Sequence, residues 1–377
     1  MADSKKQIAD LAPVHPGSIL RDILELHDMS QKELATAIGK PSPIINDIIK
    51  GKRNINAEFA VLFEAVLPDM KAQDWLNHQA EYDIYITREA DGVKKQGKLI
   101  DIWNTINEHV NVAFLKKKMR LSDNLEEAIE SIYTSLKISD IHELDNKKDS
   151  VLGYFRKSEA SSTDSRNLMT WLCLVRNQSQ NAEWPVRKFD KRFINTIVQK
   201  LNGIFFENNN TIERTRNVLN DYGIKFFTIE KLEKMPVDGL SFWSGTHPTI
   251  VLTARFNRID NFAFTLFHEL GHLYLHLNKD GEDEFLDDIK TVDKHISGKE
   301  KEANEFASNS IWGDYDYIEL FNRISIPFAA GPFLEKVSSS LHINMGIMAG
   351  QYQHYCYQYH KSKTPYAICR KYIEPIR

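Results

Sequence analysis

Between positions 268 and 276 the chain reads His-Glu-Leu-Gly-His-Leu-Tyr-Leu-His. Two histidines four residues apart on a helix lie on one face, about one turn from each other, and can close on a single cation. Glu269 projects beside that ion, where a carboxylate can take a proton from water and later give it to a leaving amine. A chance H-E-x-x-H arises in roughly 3% of chains of this length and composition, so its surroundings matter. Phe262, Ala263, Phe264, Leu266, Phe267, Leu270 and Leu273 make the helix apolar nearly all round, which predicts burial. Buried imidazoles and a buried carboxylate need partners, and Zn2+ supplies one. His268 and His272 are therefore the candidate metal ligands and Glu269 the candidate catalytic base.

A third ligand would leave one coordination position open for water. His276 lies eight residues from His268, about 12 Å along a helix axis, too far to share an ion, and reads as a neighbour of the site or a surface residue. Position 278 is Asn278, which excludes the H-E-x-x-H-x-x-G-x-x-H arrangement. Downstream, KEKEANEFAS predicts a helix whose inward stripe is Ala303, Ala307 and Ile311. Glu300 and Asn304 fall on that stripe, while Glu302 and Glu305 sit further round. Glu300 is the candidate third ligand, with His295 as the alternative. Asn304, one turn on, can hydrogen-bond a ligating histidine and hold its tautomer.

The elements that must position these residues follow from periodicity and turn chemistry. A helix over Thr211–Asp221 ends at Gly223, and strands are predicted at Ile224–Thr228, Leu240–Trp243 and Thr249–Thr253, the last two separated by a Gly-Thr-His-Pro turn. Asn261 or Asp260 then caps the long apolar helix through Leu277. That order predicts a mixed α+β domain over 208–377. Residues 87–207 read as a helical middle region, with the Ser-rich stretch Lys157–Arg166 as a loop.

RFNRIDNFAFTLFHELGHLYLHL followed by EKEANEFAS resembles the ImmA/IrrE family of zinc metallopeptidases. The resemblance implies a zincin-like fold, with His268, His272 and Glu300 as ligands and Glu269 as base, in the manner of a gluzincin. It also implies an endopeptidase whose relatives cleave a helix-turn-helix repressor; the chain's own 157–166 stretch is an alternative substrate. It weakens after Ser308, where Asn309-Ser310-Ile311-Trp312 replaces the family's usual Leu-Leu-x-Pro segment. HINMGIMAGQYQHY resembles the family's closing segment, in which Tyr352 or His354 can either polarise a scissile carbonyl or serve packing.

The first 86 residues read as a bundle of short helices. Pro16–His27 carries Ile19, Leu20, Ile23, Leu24 and Leu26 at helical spacing. Ser30 and Glu33 form a capping box that opens a second helix, ended by Gly39. Pro43 suits the first turn of a third helix, Ile44–Lys50, stopped by Gly51, and Asn56 caps a fourth. The second and third helices have helix-turn-helix proportions. In such a unit the second helix meets base edges and its flanks grip phosphate. Ser42, Ile44 and Asn46 are the candidates for bases, and Gln31, Lys50, Lys52 and Arg53 for the backbone.

Charge limits this second activity. Residues 1–86 hold nine Lys and Arg against thirteen Asp and Glu, and only Lys40–Arg53 is basic. HPGSILRDIL, SQKELATAIG, INDIIKGKRNI and WLNHQAEYDI resemble the HigA-type antitoxins of the Xre helix-turn-helix family. The resemblance implies a homodimer that binds operator DNA and neutralises a toxin encoded by a neighbouring gene. Ile44 stands where that family often has Arg, which removes a guanine-reading side chain.

The bulk composition sets the outer bounds. At 377 residues, 42% hydrophobic and 27% charged, the chain is a globular protein of two or three domains, with a net charge of −4 that rules out a global pull toward nucleic acid. No apolar run is long enough to span a bilayer, and MADSKKQIAD has no signal-peptide features. Three widely spaced cysteines, Cys173, Cys356 and Cys369, fit a reducing cytoplasm. The expected fold is mainly α, and the expected function a DNA-binding regulator carrying a zinc peptidase. The alternative is a non-enzymatic repressor or antitoxin whose zinc is structural or sensory.

Overall fold

The computed structural model describes residues 12–153, 163–181, 187–253, 257–277, 285–287, 298–324, 330–360 and 375–376. The chain divides into two compact units, Met1–Asp101 and Ile102–Arg377. Both are mainly helical, and the second holds one small mixed sheet.

In the first unit, α1 spans Pro16–Leu26, α2 Gln31–Ala37, α3 Ser42–Ile49, α4 Ala57–Val66 and α5 Ala72–Glu89. Each start has a local cause. His15 Nδ1 accepts from the Gly17 amide at 3.0 Å to cap α1, whose first residue is Pro16. Ser30 and Glu33 form the capping box of α2, with amide-to-side-chain distances of 3.2 and 2.8 Å. Asn56 Oδ1 accepts from the Phe59 amide at 3.0 Å to cap α4. Gly39 and Gly51 end α2 and follow α3 at φ 64° and 70°, in the left-handed region open to glycine. The third helix starts two residues before the predicted Ile44, because Pro41 takes the cap position and Pro43 the first turn. Leu20, Leu24, Leu34, Ile45, Ile48, Phe59, Phe63 and Trp75 make the core.

Helix α6 (Asp91–His109) contains the division between the units. It is followed by α7 (Val112–Met119), α8 (Leu125–Leu136), α9 (Glu143–Gly153) and α10 (Ser165–Asn181). The Ser-rich stretch lies mostly outside the described residues, but its end does not form loop. Asp164 Oδ1 accepts from the amides of Arg166 and Asn167 and so starts α10 inside the predicted loop. After a 3-10 turn at Lys191–Phe193 come α11 (Ile194–Glu207) and α12 (Thr211–Asp221).

The sheet comprises β1 (Lys225–Thr228), β2 (Gly239–Ser244), β3 (His247–Leu252) and β4 (Phe285–Asp287), in the order β1-β3-β2-β4. β1 runs parallel to β3, and β2 runs antiparallel to both β3 and β4. The expected four-residue turn is tighter than predicted. Ser244 pairs with His247, leaving Gly245 and Thr246 as a two-residue loop with Gly245 at φ 65°. β4 was not expected: three residues carry too little periodicity, and the strand exists only through pairing with Gly239–Ser241.

Helix α13 (Ile259–Gly271) then crosses the core, and α14 (Gly298–Trp312), α15 (Tyr317–Asn322), α16 (Ala330–Leu341) and α17 (Met345–His360) follow. The start of α13 corrects the expected cap. Arg258 occupies the cap position without a side-chain bond, and Asp260 lies in the first turn, where it accepts from Arg258 Nε at 3.0 Å. The expected helix through Leu277 changes character at its end, where His272–His276 forms a π-helical turn closed by the Leu277 amide on the His272 carbonyl at 2.9 Å.

Candidate metal centre

α13 is buried because nearly every face of it is apolar. Ile259, Phe262, Ala263, Leu266, Phe267 and Leu270 all enter the core of the second unit, and His268, Glu269 and His272 go with them at 1%, 0% and 0% exposure. Three fully desolvated polar side chains on adjacent turns form a costly arrangement unless they meet partners. His268 and His272 turn toward each other, Nε2 to Nε2 at 2.9 Å. Across from them, α14 comes unusually close. A Cβ on Gly271 would lie 3.1 Å from Ala303 Cα, so a glycine on one helix and an alanine on the other set the separation.

That approach delivers Glu300. Its carboxylate oxygens lie 3.4 Å from His268 Nε2 and 3.5 Å from His272 Nε2. Ligand atoms at bonds of about 2 Å in a tetrahedron stand about 3.4 Å apart, so both carboxylate distances suit one small cation. The two nitrogens stand about half an ångström closer than a tetrahedral site requires, a difference a small ring rotation removes. Among the described residues these three form the one His, Cys, Asp or Glu group whose donor atoms all lie within 4.8 Å of one another. Two imidazoles and one carboxylate form a donor set that fits zinc, and Glu269 is the buried carboxylate next to His268 on α13.

Asn304 sits where the stripe put it, its Oδ1 3.0 Å from His268 Nδ1. His276 is not at the surface and stands outside that three-residue group. It is 9% exposed, with Nδ1 3.1 Å from His272 Nδ1 and Nε2 2.8 Å from Glu302 Oε2. Glu302, which helical spacing placed away from the inward stripe, is thus brought to the site by its length. Gly239 is a second residue that motif reasoning passed over. A Cβ there would come 2.8 Å from Glu269 Cγ and closer still to its carboxylate, so β2 lies directly against the candidate base. A glycine opening an apolar strand is the available signal for such an approach.

Other expectations resolve by place. Tyr352 is buried in the core with its ring 5.3 Å from Phe321, and His354 is exposed. Asn309–Trp312, the departure from the family pattern, continues α14, and Trp312 Nε1 donates to Gln351 Oε1 at 2.6 Å. His295 lies outside the described residues. In the first unit Gln31 opens α2, and Ser42, Ile44 and Asn46 lie along the first turns of α3, all four half-buried, with Ile44 packed on the core. Lys50, Lys52 and Arg53 are exposed at the other end of α3, whereas Lys40 is paired with Glu58.

Two family patterns match separate parts of the chain. The pattern of the helix-turn-helix family matches residues 20–68, and that of the IrrE N-terminal-like domain family matches residues 219–314. The chain joins a helix-turn-helix to an IrrE N-terminal-like domain. The IrrE-like match begins in α12, takes in the sheet and the His268-Glu269-Leu270-Gly271-His272 motif, and ends just past α14 with Glu300 inside it. A curated relative, virulence-associated protein A' of Dichelobacter nodosus, is 31% identical over 72 residues; these are 19% of this chain and span 63% of that protein's length. Among solved structures, an addiction module antidote protein of a HigA family from Coxiella burnetii is 33% identical, with 24% of this chain and 94% of that chain covered, at a TM-score of 0.21. The Pseudomonas aeruginosa antitoxin HigA with the higBA promoter is 36% identical, with 22% and 92% covered, at the same TM-score. Among the described residues no helix is long and apolar enough to cross a membrane.

Proposed function

We propose that this chain is a DNA-binding regulator of the antitoxin kind whose IrrE-like domain is a zinc-dependent endopeptidase. The observation that carries the peptidase reading is the convergence of His268, His272 and Glu300, with Glu269 buried beside them. His268 and His272 would hold zinc through Nε2 and Glu300 through its carboxylate, while Asn304 orients the His268 ring. Bound zinc supplies Lewis-acid polarisation of water and of a scissile carbonyl. Glu269 takes the proton of the attacking water on its carboxylate and returns it to the leaving amine nitrogen. The substrate is a partner repressor or the chain's own 157–166 stretch.

The helix-turn-helix reads operator DNA as a homodimer, with Ser42, Ile44 and Asn46 toward bases and Gln31, Lys50, Lys52 and Arg53 toward phosphate. Its protein partner is a toxin encoded by a neighbouring gene. The alternative of a structural or sensory zinc is favoured by one observation: only Glu300, at 29% side-chain exposure, opens the cluster to solvent.

Elemental analysis and a cleavage assay separate the readings. Purified chain is expected to carry one equivalent of zinc, and His268→Ala none. With DNA and the neighbouring gene products present, wild type is expected to cleave a repressor or itself, and Glu269→Gln to keep zinc without cleaving. Zinc retained with no cleavage by either protein leaves the structural reading; a zinc-free wild type removes both.

A further inference from the structure

Glu302 and His276 have no place in the chemistry above, yet they continue it outward from the centre. His272 Nε2 faces His268 and Glu300, so its other nitrogen points away from the ligand cluster and meets His276 Nδ1 at 3.1 Å. His276 Nε2 in turn meets Glu302 Oε2 at 2.8 Å. Two imidazole nitrogens at that separation require one proton between them. A neutral His272 that binds metal through Nε2 carries its proton on Nδ1 and donates it to His276. His276 must then hold its own proton on Nε2, where the Glu302 carboxylate accepts it. Only one arrangement of the two tautomers satisfies both contacts.

Across the π-helical turn His272–His276 the two rings stand 5.2 Å apart between centroids. α14 therefore reaches both ligating histidines on their outer nitrogens, His268 directly through Asn304 and His272 through His276 from Glu302. Glu302 is an exposed residue and His276 a buried one, so the chain of bonds runs from solvent to the ligand cluster.

We infer that Glu302 and His276 are positioning residues that act in series to fix the tautomer and ring orientation of His272 for metal binding. The inference rests on the zinc reading above. Outer partners of ligating histidines are generally worth about 10-fold to 100-fold in metal affinity. The test is zinc affinity of the full chain by competition with a chromophoric chelator, together with the thermal midpoint of each metal-free protein. Glu302→Ala and His276→Phe are each expected to bind zinc about 10-fold or more weakly. The metal-free midpoint of Glu302→Ala should be unchanged, since its side chain is 60% exposed. Because the two act in one line, the double variant should bind no more weakly than His276→Phe alone. Wild-type affinity in Glu302→Ala, or losses that multiply in the double variant, would overturn the inference while leaving the zinc reading standing. A wild type that takes up no zinc overturns both.

Discussion

At the scale of single residues, the centre depends on what is missing from Gly239 as much as on what Glu269 carries. β2 lies against the Glu269 side chain because position 239 has no Cβ. Gly239→Ala should push that carboxylate aside, costing about 1–3 kcal/mol of stability from overpacking. Denaturant unfolding measures the cost, and any cleavage activity should fall while zinc content stays at the wild-type value. A variant as stable and active as wild type would remove β2 from the account of the site. His268, His272, Glu300 and Asn304 could be read from the sequence because helical spacing places each pair on one face. Gly239 and Glu302 could not, since helical spacing placed Glu302 off the inward stripe and β2 meets Glu269 only in the folded chain.

At the scale of elements, two contacts make specific demands. The α13–α14 approach leaves a Cβ on Gly271 3.1 Å from Ala303 Cα and 3.2 Å from Phe306 Cβ. Gly271→Ala should therefore separate the helices, lowering zinc affinity and the thermal midpoint together, with each read in one titration series. The cap of α1 makes a different demand. His15 Nδ1 can accept from Gly17 only while that nitrogen is bare. Burial holds the His15 pKa below its ordinary value, against a hydrogen bond donated to Asn54 and the charge of Asp83, with the Tyr82 ring edge-on at 4.9 Å. Because the folded pKa lies below the unfolded one, this stabilisation is complete above about pH 6.5 and is lost as pH falls through the folded value. Amide exchange at Gly17–Leu20 in the full chain should quicken on acidification beyond its intrinsic pH dependence. His15→Asn, which keeps an acceptor and does not titrate, should abolish that excess, and an identical response in both proteins would count against the cap.

At the scale of the whole molecule, the proposed function gives the two units different ligands. A cation that binds only the folded second unit stabilises it by about 2.7 kcal/mol at a hundredfold excess over its Kd. Chelation should therefore lower amide protection across residues 259–277 and 298–312 and leave α1–α5 unchanged, as hydrogen exchange would record; an equal loss in both units would contradict a centre confined to the second. The first unit has a narrow basic edge, with Lys50, Lys52 and Arg53 exposed and Lys40 engaged by Glu58. Three phosphate contacts from each copy of the proposed homodimer predict a slope of about −5 per unit for the logarithm of DNA affinity against that of salt. A fluorescence titration across salt concentrations measures it, and a slope near zero would exclude this edge as the phosphate grip.

The sequence by itself determined whatever follows from local spacing. Capping residues, prolines and left-handed glycines placed α1–α4 to within two residues, and the i, i+4 spacing named His268 and His272, which the structure brings together with Glu300. Glu300 was legible too, because the small residues around it mark a stripe that can come close to another helix. Tertiary structure decided whatever depends on two distant segments meeting. β4 exists only as a partner for β2, and Glu302 reaches back to His276 from the next helix. The physical reason is common to both. Backbone pairing and side-chain hydrogen bonds act over about 3 Å, and separation along the chain carries no information about such distances until the core has closed around them.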